Sequence, residues 1–288
     1  MTSTDPAVSV SGLTKHYGAF EALRGVSFDI ERGETFALLG PNGAGKSTTI
    51  EILEGYRDRT GGEAQVLGID PQHGGLAWKA RLGIVLQSSG ESGNVTVREQ
   101  LVQFANMYPN PREVDEVIAA VGLDEKAGTR IKNLSGGQRR RVDVALGVIG
   151  RPELLFLDEP TTGFDPEARR AFWELIRKLK REGTTILLTT HYLDEAAQLS
   201  DRAAVVAGGE LIDIGPVHTL GSAEARVPIV RWRENGELRE ERTADTGRAV
   251  AALVARLGEP ADLEIVRPSL EDIYLDLVST YERERVTA

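Results

Sequence analysis

Thr35-Phe36-Ala37-Leu38-Leu39 runs directly into Gly40-Pro41-Asn42-Gly43-Ala44-Gly45-Lys46-Ser47, and the stretch from Lys46 through Leu53 has the composition of a helix. No other part of the chain narrows the fold as far. A buried strand, a G-x-x-x-x-G-K-S loop and a helix in that order start a parallel α/β sheet, because the loop must turn its backbone N–H groups toward an anion with a helix dipole behind them. Lys46 carries the charge that bridges the β- and γ-phosphates of a nucleotide, and the Ser47 hydroxyl is a candidate Mg²⁺ ligand. The expected phosphate-binding residues are therefore Gly40, Pro41, Asn42, Gly43, Ala44, Gly45, Lys46, Ser47 and Thr48.

The rest of the chain up to about residue 215 continues the alternation of short apolar runs with amphipathic stretches. Leu82 to Leu86, Leu154 to Leu157 and Thr185 to Thr189 read as further buried strands, each followed by a polar residue at the end where open α/β sheets bind ligands. Val8 to Ile30 reads as antiparallel strands leading into the first parallel one. Thr96 to Val121 reads as helical, interrupted by Pro109-Asn110-Pro111, which places a helical insert between two strands. After Gly215-Pro216 the pattern changes. A hairpin around Asn235-Gly236, a helix with Val250, Leu253, Val254 and Leu257 on one face, a strand from Leu263 to Val266 and a last helix capped by Ser269 predict a small α+β domain.

Two further elements carry chemistry. Leu154-Leu155-Phe156-Leu157-Asp158-Glu159 is a buried strand ending in two carboxylates, where Asp158 can reach a metal beside the phosphate loop through water and Glu159 can act as general base for an attacking water. Ser135-Gly136-Gly137 opens the helix that runs on through Val142, Val144, Ala145 and Val148, so it offers a second helix N-terminus to an anion.

Taken in this order, the motifs resemble the ATP-binding subunits of ABC transporters. The resemblance covers residues 8 to 215, and Leu134-Ser135-Gly136-Gly137-Gln138 is specific to that family among phosphate-loop proteins. It implies an α/β fold of the phosphate-loop NTPase type, with a mostly parallel core sheet, an N-terminal antiparallel β part and an α-helical insert. The expected divisions are an ATPase domain over 1–216, its helical subdomain at about 94–150, and an α+β accessory domain over 217–288.

The resemblance also implies roles. Ser135, Gly136, Gly137 and Gln138 meet the γ-phosphate of ATP held by the phosphate loop of an opposing copy, so ATP and Mg²⁺ are used by a homodimer. Tyr17 resembles the aromatic that stacks on adenine. Gln87 resembles the glutamine that contacts Mg²⁺ and water, His191 the histidine that hydrogen-bonds the γ-phosphate, and Asp165 the loop residue that couples the two sites. Two details depart from the commonest pattern: Phe164 stands where Leu is usual, and Ser88 to Gly93 is polar and Gly-rich where the family begins the surface that receives its membrane subunit.

Composition narrows the partners. The net charge of −10 leaves no basic field to hold nucleic acid or an anionic bilayer, there are no cysteines for disulfides or thiolate metal sites, and no stretch approaches the ~18 uninterrupted apolar residues of a membrane span. The expectation is a cytoplasmic chain held on the inner face of the cell membrane by a separate membrane subunit. Arg267 to Leu275 and Thr189 to Ala196 resemble ATPase subunits of ABC-2-type exporters, including those conferring drug and antibiotic resistance. An importer ATPase subunit and a soluble ABC ATPase outside transport are the alternatives.

Overall fold

The structure is a computed structural model that describes residues 5–85, 94–258 and 260–287. Gln87 and the Ser88–Gly93 stretch lie outside the described residues. The chain forms two compact units, Met1–Ile214 and Gly215–Ala288.

The larger unit begins with β1 (Val8–Tyr17), β2 (Phe20–Ile30) and β3 (Thr35–Leu39), continues with α1 (Lys46–Leu53) and β4 (Gly61–Val66), then α2 (Leu76–Lys79) and β5 (Leu82–Val85). Three helices follow, α3 (Val97–Ala105), α4 (Val114–Ala120) and α5 (Gly136–Ile149). It closes with β6 (Leu154–Asp158), α6 (Pro166–Arg181), β7 (Thr185–Thr189), α7 (Leu193–Leu199), β8 (Arg202–Ala207) and β9 (Glu210–Pro216).

Two sheets result. The core sheet has the order β5-β6-β7-β3-β8-β9, and β5/β6, β6/β7, β7/β3 and β3/β8 are parallel. Its central strands are buried on both faces, which is why they read as unbroken apolar runs. The second sheet, β2-β1-β4, is antiparallel and packs on the first through Phe28 stacked on Phe36 at 5.5 Å between ring centres. Burying a side chain such as Phe36 contributes roughly 2–3 kcal/mol.

This strand order positions the chemistry. Because β7 lies between β3 and β6, the C-terminal ends of all three meet on one edge: the phosphate loop after Leu39, the carboxylates after Leu157, and Thr189 to His191. Proline at 109 and 111 separates α3 from α4, and both pack on α5.

In the smaller unit, β10 (Ile229–Glu234) and β11 (Glu237–Arg242) form a hairpin, followed by α8 (Thr246–Leu257), β12 (Ala261–Val266) and α9 (Leu270–Thr287). Asn235 (φ 56) and Gly236 (φ 83) are both left-handed, as a two-residue type I′ turn requires. Val230, Trp232 and Leu253 form a small core between the sheet and α8. Ser269 caps α9 by accepting from the Asp272 N–H at 3.2 Å, while Asp272 accepts from the Ser269 N–H at 2.7 Å.

Candidate nucleotide site

The phosphate loop is shaped by close backbone packing. A Cβ on Gly40 would stand 2.2 Å from the Val206 carbonyl oxygen, and one on Gly45, whose φ is 103, would meet the Ala22 oxygen at 2.8 Å. Lys46 Nζ donates to the carbonyl oxygens of Gly40 at 2.7 Å and Pro41 at 3.0 Å, so the loop's own acceptors hold the ammonium where a phosphate would compete for it. Burial pushes the Lys46 pKa down, opposed by the charges of Glu159 and Asp158.

Ser47 and Asp158 line one cavity of about 490 Å³, together with Glu51, Glu54, Tyr56 and Lys79. The Thr189 hydroxyl, on the neighbouring strand in register with Asp158, donates to its Oδ1. Glu54, at the C-terminal cap of α1, is 5% exposed. Burial pushes its carboxyl up to about 8, and the charges of Asp158 and Glu51 add to the rise.

Glu159 turns its backbone into the left-handed region, φ 48, and donates its N–H to the Thr189 oxygen at 3.1 Å. Its carboxylate Oε2 lies 3.4 Å from His191 Nδ1. Glu159 and His191, from two different strand ends, therefore face each other directly. The His191 ring rests on the Tyr192 ring, 4.0 Å between centres, and the Arg169 guanidinium covers Tyr192 at 4.2 Å.

Ser135 caps α5 in a reciprocal arrangement. Its Oγ accepts from the Gln138 N–H at 3.2 Å and its own N–H donates to Gln138 Oε1 at 3.0 Å. Gly136 and Gly137 then occupy the first two helical positions, where backbone N–H groups have no acceptor within the helix. A Cβ on Gly137 would stand 3.0 Å from the Gly163 oxygen, so the start of α5 lies against the loop leading to Asp165. Asp165 caps α6 by accepting from the Ala168 N–H at 2.8 Å, and Arg141 approaches it at 3.5 Å.

Lys46, Ser47, Asp158, Glu159 and His191 are thus brought to one edge. Among the described residues no hydrogen bond or ion pair joins Ser135–Gln138 to Gly40–Ser47. Tyr17 is 40% exposed, with Lys15 Nζ and the Arg57 guanidinium each 5.2 Å from its ring centre. Sequence reasoning missed Thr189 as the partner of Asp158, and it missed Arg140, a buried arginine within an Arg139-Arg140-Arg141 run that reads as solvated charge. The signal was spacing, since Arg140, Val144 and Val148 fall on one helix face.

A family model described as ABC transporter matches residues 23–162, which takes in the phosphate loop, the signature and the Asp158-Glu159 pair. A Nod factor export ATP-binding protein I of Rhizobium meliloti (strain 1021) is 43% identical over 220 residues, spanning 74% of this chain and 65% of that protein. A daunorubicin resistance ATP-binding protein of Streptomyces coeruleorubidus is 33% identical over 314 residues and spans 99% of each chain. A solved ATP binding subunit of an ABC transporter superposes with a TM-score of 0.71 at 24% identity, over 94% of this chain and 99% of that one, a likeness of fold. The chain belongs to the ABC transporter family and is one of its ATP-binding, ATP-hydrolysing proteins.

Proposed function

We propose that two copies of this chain close around two ATP molecules and drive a separate membrane subunit that exports a drug, antibiotic or other small hydrophobic compound. One observation carries the two-copy reading: α5 presents a capped N-terminus with Gly136 and Gly137 N–H groups, yet Ser135–Gln138 makes no polar contact with its own phosphate loop among the described residues. An anion-ready helix end with no polar contact to the anion site of its own chain fits a phosphate held by another copy.

Within that arrangement, Lys46 and the loop N–H groups hold the β- and γ-phosphates and Tyr17 stacks on adenine. The Ser47 hydroxyl and the Asp158 carboxylate face one cavity and are the hard oxygen donors that Mg²⁺ takes, with Gln87 as the third expected contact. Mg²⁺, when bound, would withdraw charge from the transferring phosphate oxygens. Glu159 Oε2 accepts the proton of the attacking water as its oxygen bonds to the γ-phosphorus and the bond to the β-phosphate oxygen breaks. His191, 3.4 Å from that carboxylate, fixes its orientation and reaches the γ-phosphate. Asp165 answers to the second site across the dimer.

Export is supported by the two relatives, named for Nod factor export and daunorubicin resistance. Among the described residues no helix is long and apolar enough to cross a membrane, which fits a chain bound to the inner face through its membrane subunit. The acidic balance fits a partner other than nucleic acid, and residues 217–288 form the accessory domain of such an exporter subunit. ATP that contacts both copies stabilises their dimer by linkage. Light scattering of Glu159→Gln with Mg-ATP should show a dimer, and wild type should revert to monomer as ATP is consumed. A variant that remains monomeric at saturating Mg-ATP would sink the two-copy reading.

A further inference from the structure

One side chain holds the Asp158–Pro160 turn from behind. Arg140 is 5% exposed, sits in the second turn of α5, and donates from Nη2 to the carbonyl oxygens of Asp158 at 2.5 Å and Glu159 at 3.1 Å, and from Nε to that of Pro160 at 3.2 Å. Burying a guanidinium is unfavourable unless its donors are used, and here they are used on the backbone of the turn that carries the general base. That turn needs holding, because Glu159 is a non-glycine residue in the left-handed region.

Arg140 does not act alone on this segment. Gly137 packs against Gly163 one turn earlier, and Arg141 reaches Asp165 and lies over the Phe164 ring at 5.8 Å. The first two turns of α5 are thus fastened to the stretch from Asp158 to Asp165, and those turns begin at the signature. A rigid helix cannot shift at Ser135 without moving the Arg140 guanidinium, and the carbonyls of Asp158 and Glu159 follow it.

We infer that Arg140 is a positioning residue that transmits movement of the signature end of α5 to the Glu159 carboxylate. The inference rests on the two-copy reading: the signature of one chain then closes one ATP site while Glu159 of that same chain works in the other. Arg140 makes occupancy of the first site set the geometry of the base in the second. Its substrate-side consequence is positive cooperativity in ATP hydrolysis.

The test uses the full-length chain as wild type, Arg140→Met and Arg140→Lys, measuring hydrolysis against ATP concentration, fluorescent ATP-analogue binding and thermal unfolding. Arg140→Met should bind the analogue within about twofold of wild type, yet lose on the order of 100-fold in kcat, the scale of an ångström misplacement of a reacting group. Its Hill coefficient should fall towards unity, and Arg140→Lys, which keeps one donor group in reach, should restore part of kcat. Wild-type kcat and cooperativity in Arg140→Met overturn the inference, and so do parallel losses of analogue binding and melting temperature, the mark of a packing role alone. If Arg140→Met does not fold, Arg140→Lys decides: lower kcat at unchanged analogue affinity supports the inference, and wild-type kcat overturns it. A wild-type protein that neither dimerises with ATP nor shows cooperativity instead defeats the two-copy reading, and kcat against analogue affinity still decides whether Arg140 holds Glu159.

Discussion

Glu54→Gln should remove one contribution to the pH dependence of stability of the larger unit between about pH 5 and pH 9, beside those of Glu34 and Glu195, whose carboxyls burial also raises. In the folded chain, burial first, then Asp158 and Glu51, raise the Glu54 carboxyl from 4.5 to about 8. The folded chain therefore keeps a proton that the unfolded chain releases, and stability is fully present below 4.5, declines as pH rises, and is lost above about 8. At 1.36 kcal/mol per pKa unit the whole swing is roughly 5 kcal/mol, which local relaxation and water entry reduce to a few. Glutamine has the same shape and no proton to lose. Urea unfolding without nucleotide, in a Trp232→Phe background so that Trp78 and Trp173 report the larger unit, should show the variant close to wild type near pH 5. Near pH 8.5 it should be more stable by about 2–4 kcal/mol. Parallel curves of stability against pH for the two proteins would refute the reasoning.

Lys46→Ala removes both the cation for the phosphates and the two hydrogen bonds to Gly40 and Pro41, so titration with a fluorescent ATP analogue should show affinity lowered by about 100-fold or more. Affinity within threefold of wild type would put the phosphate site elsewhere. Arg59 grips Asp70 with two bonds of 2.7 Å, and that hydrogen-bonded guanidinium holds the Asp70 carboxyl down at about 2. The depressed value means the contribution is present above 3.8 and disappears as pH falls towards 2. With Asp70 partly open to solvent, Asp70→Asn should cost about 1 kcal/mol in thermal unfolding at neutral pH. The difference from wild type should vanish in acid, and a constant difference down to about pH 2 would contradict the linkage.

Much of the core sheet was legible because a strand buried on both faces needs no alternation, and Phe36-Ala37-Leu38-Leu39 and Leu154-Leu155-Phe156-Leu157 show it plainly. β4 was not. Gly61-Gly62-Glu63-Ala64-Gln65-Val66 has weak strand propensity, and it becomes a strand through pairing with β1, Val8 opposite Val66 and Val10 opposite Ala64. The phosphate loop and the signature were legible because local backbone geometry demands glycine and a cap at set positions. The Thr189 bond to Asp158 was not, since it depends on β7 lying beside β6, and strand order is not written in either strand. Arg140 was hidden by its neighbours: two flanking arginines made it look solvated, and only its register with Val144 and Val148 marked it as buried.

The protonated state of Glu54 also bears on how the site can receive a polyanion. Around Lys46 stand the carboxylates of Asp158 and Glu159, whose charges already offset the fall in the Lys46 pKa caused by burial. An ionised Glu54 would add a negative charge to the cavity that it lines with Ser47, Glu51, Asp158 and Lys79. Like charges gathered in a partly buried site repel, so a Glu54 that keeps its proton near physiological pH limits the negative charge beside Ser47 and Asp158. The buried carboxyl is therefore tolerated because it is uncharged. The same Glu54→Gln substitution that flattens stability above neutral pH should also leave nucleotide affinity unchanged at pH 7 and raise it relative to wild type above about pH 8, where only wild type acquires the extra charge. An affinity ratio between variant and wild type that stays constant through that interval would separate the two effects and leave only the folding argument standing.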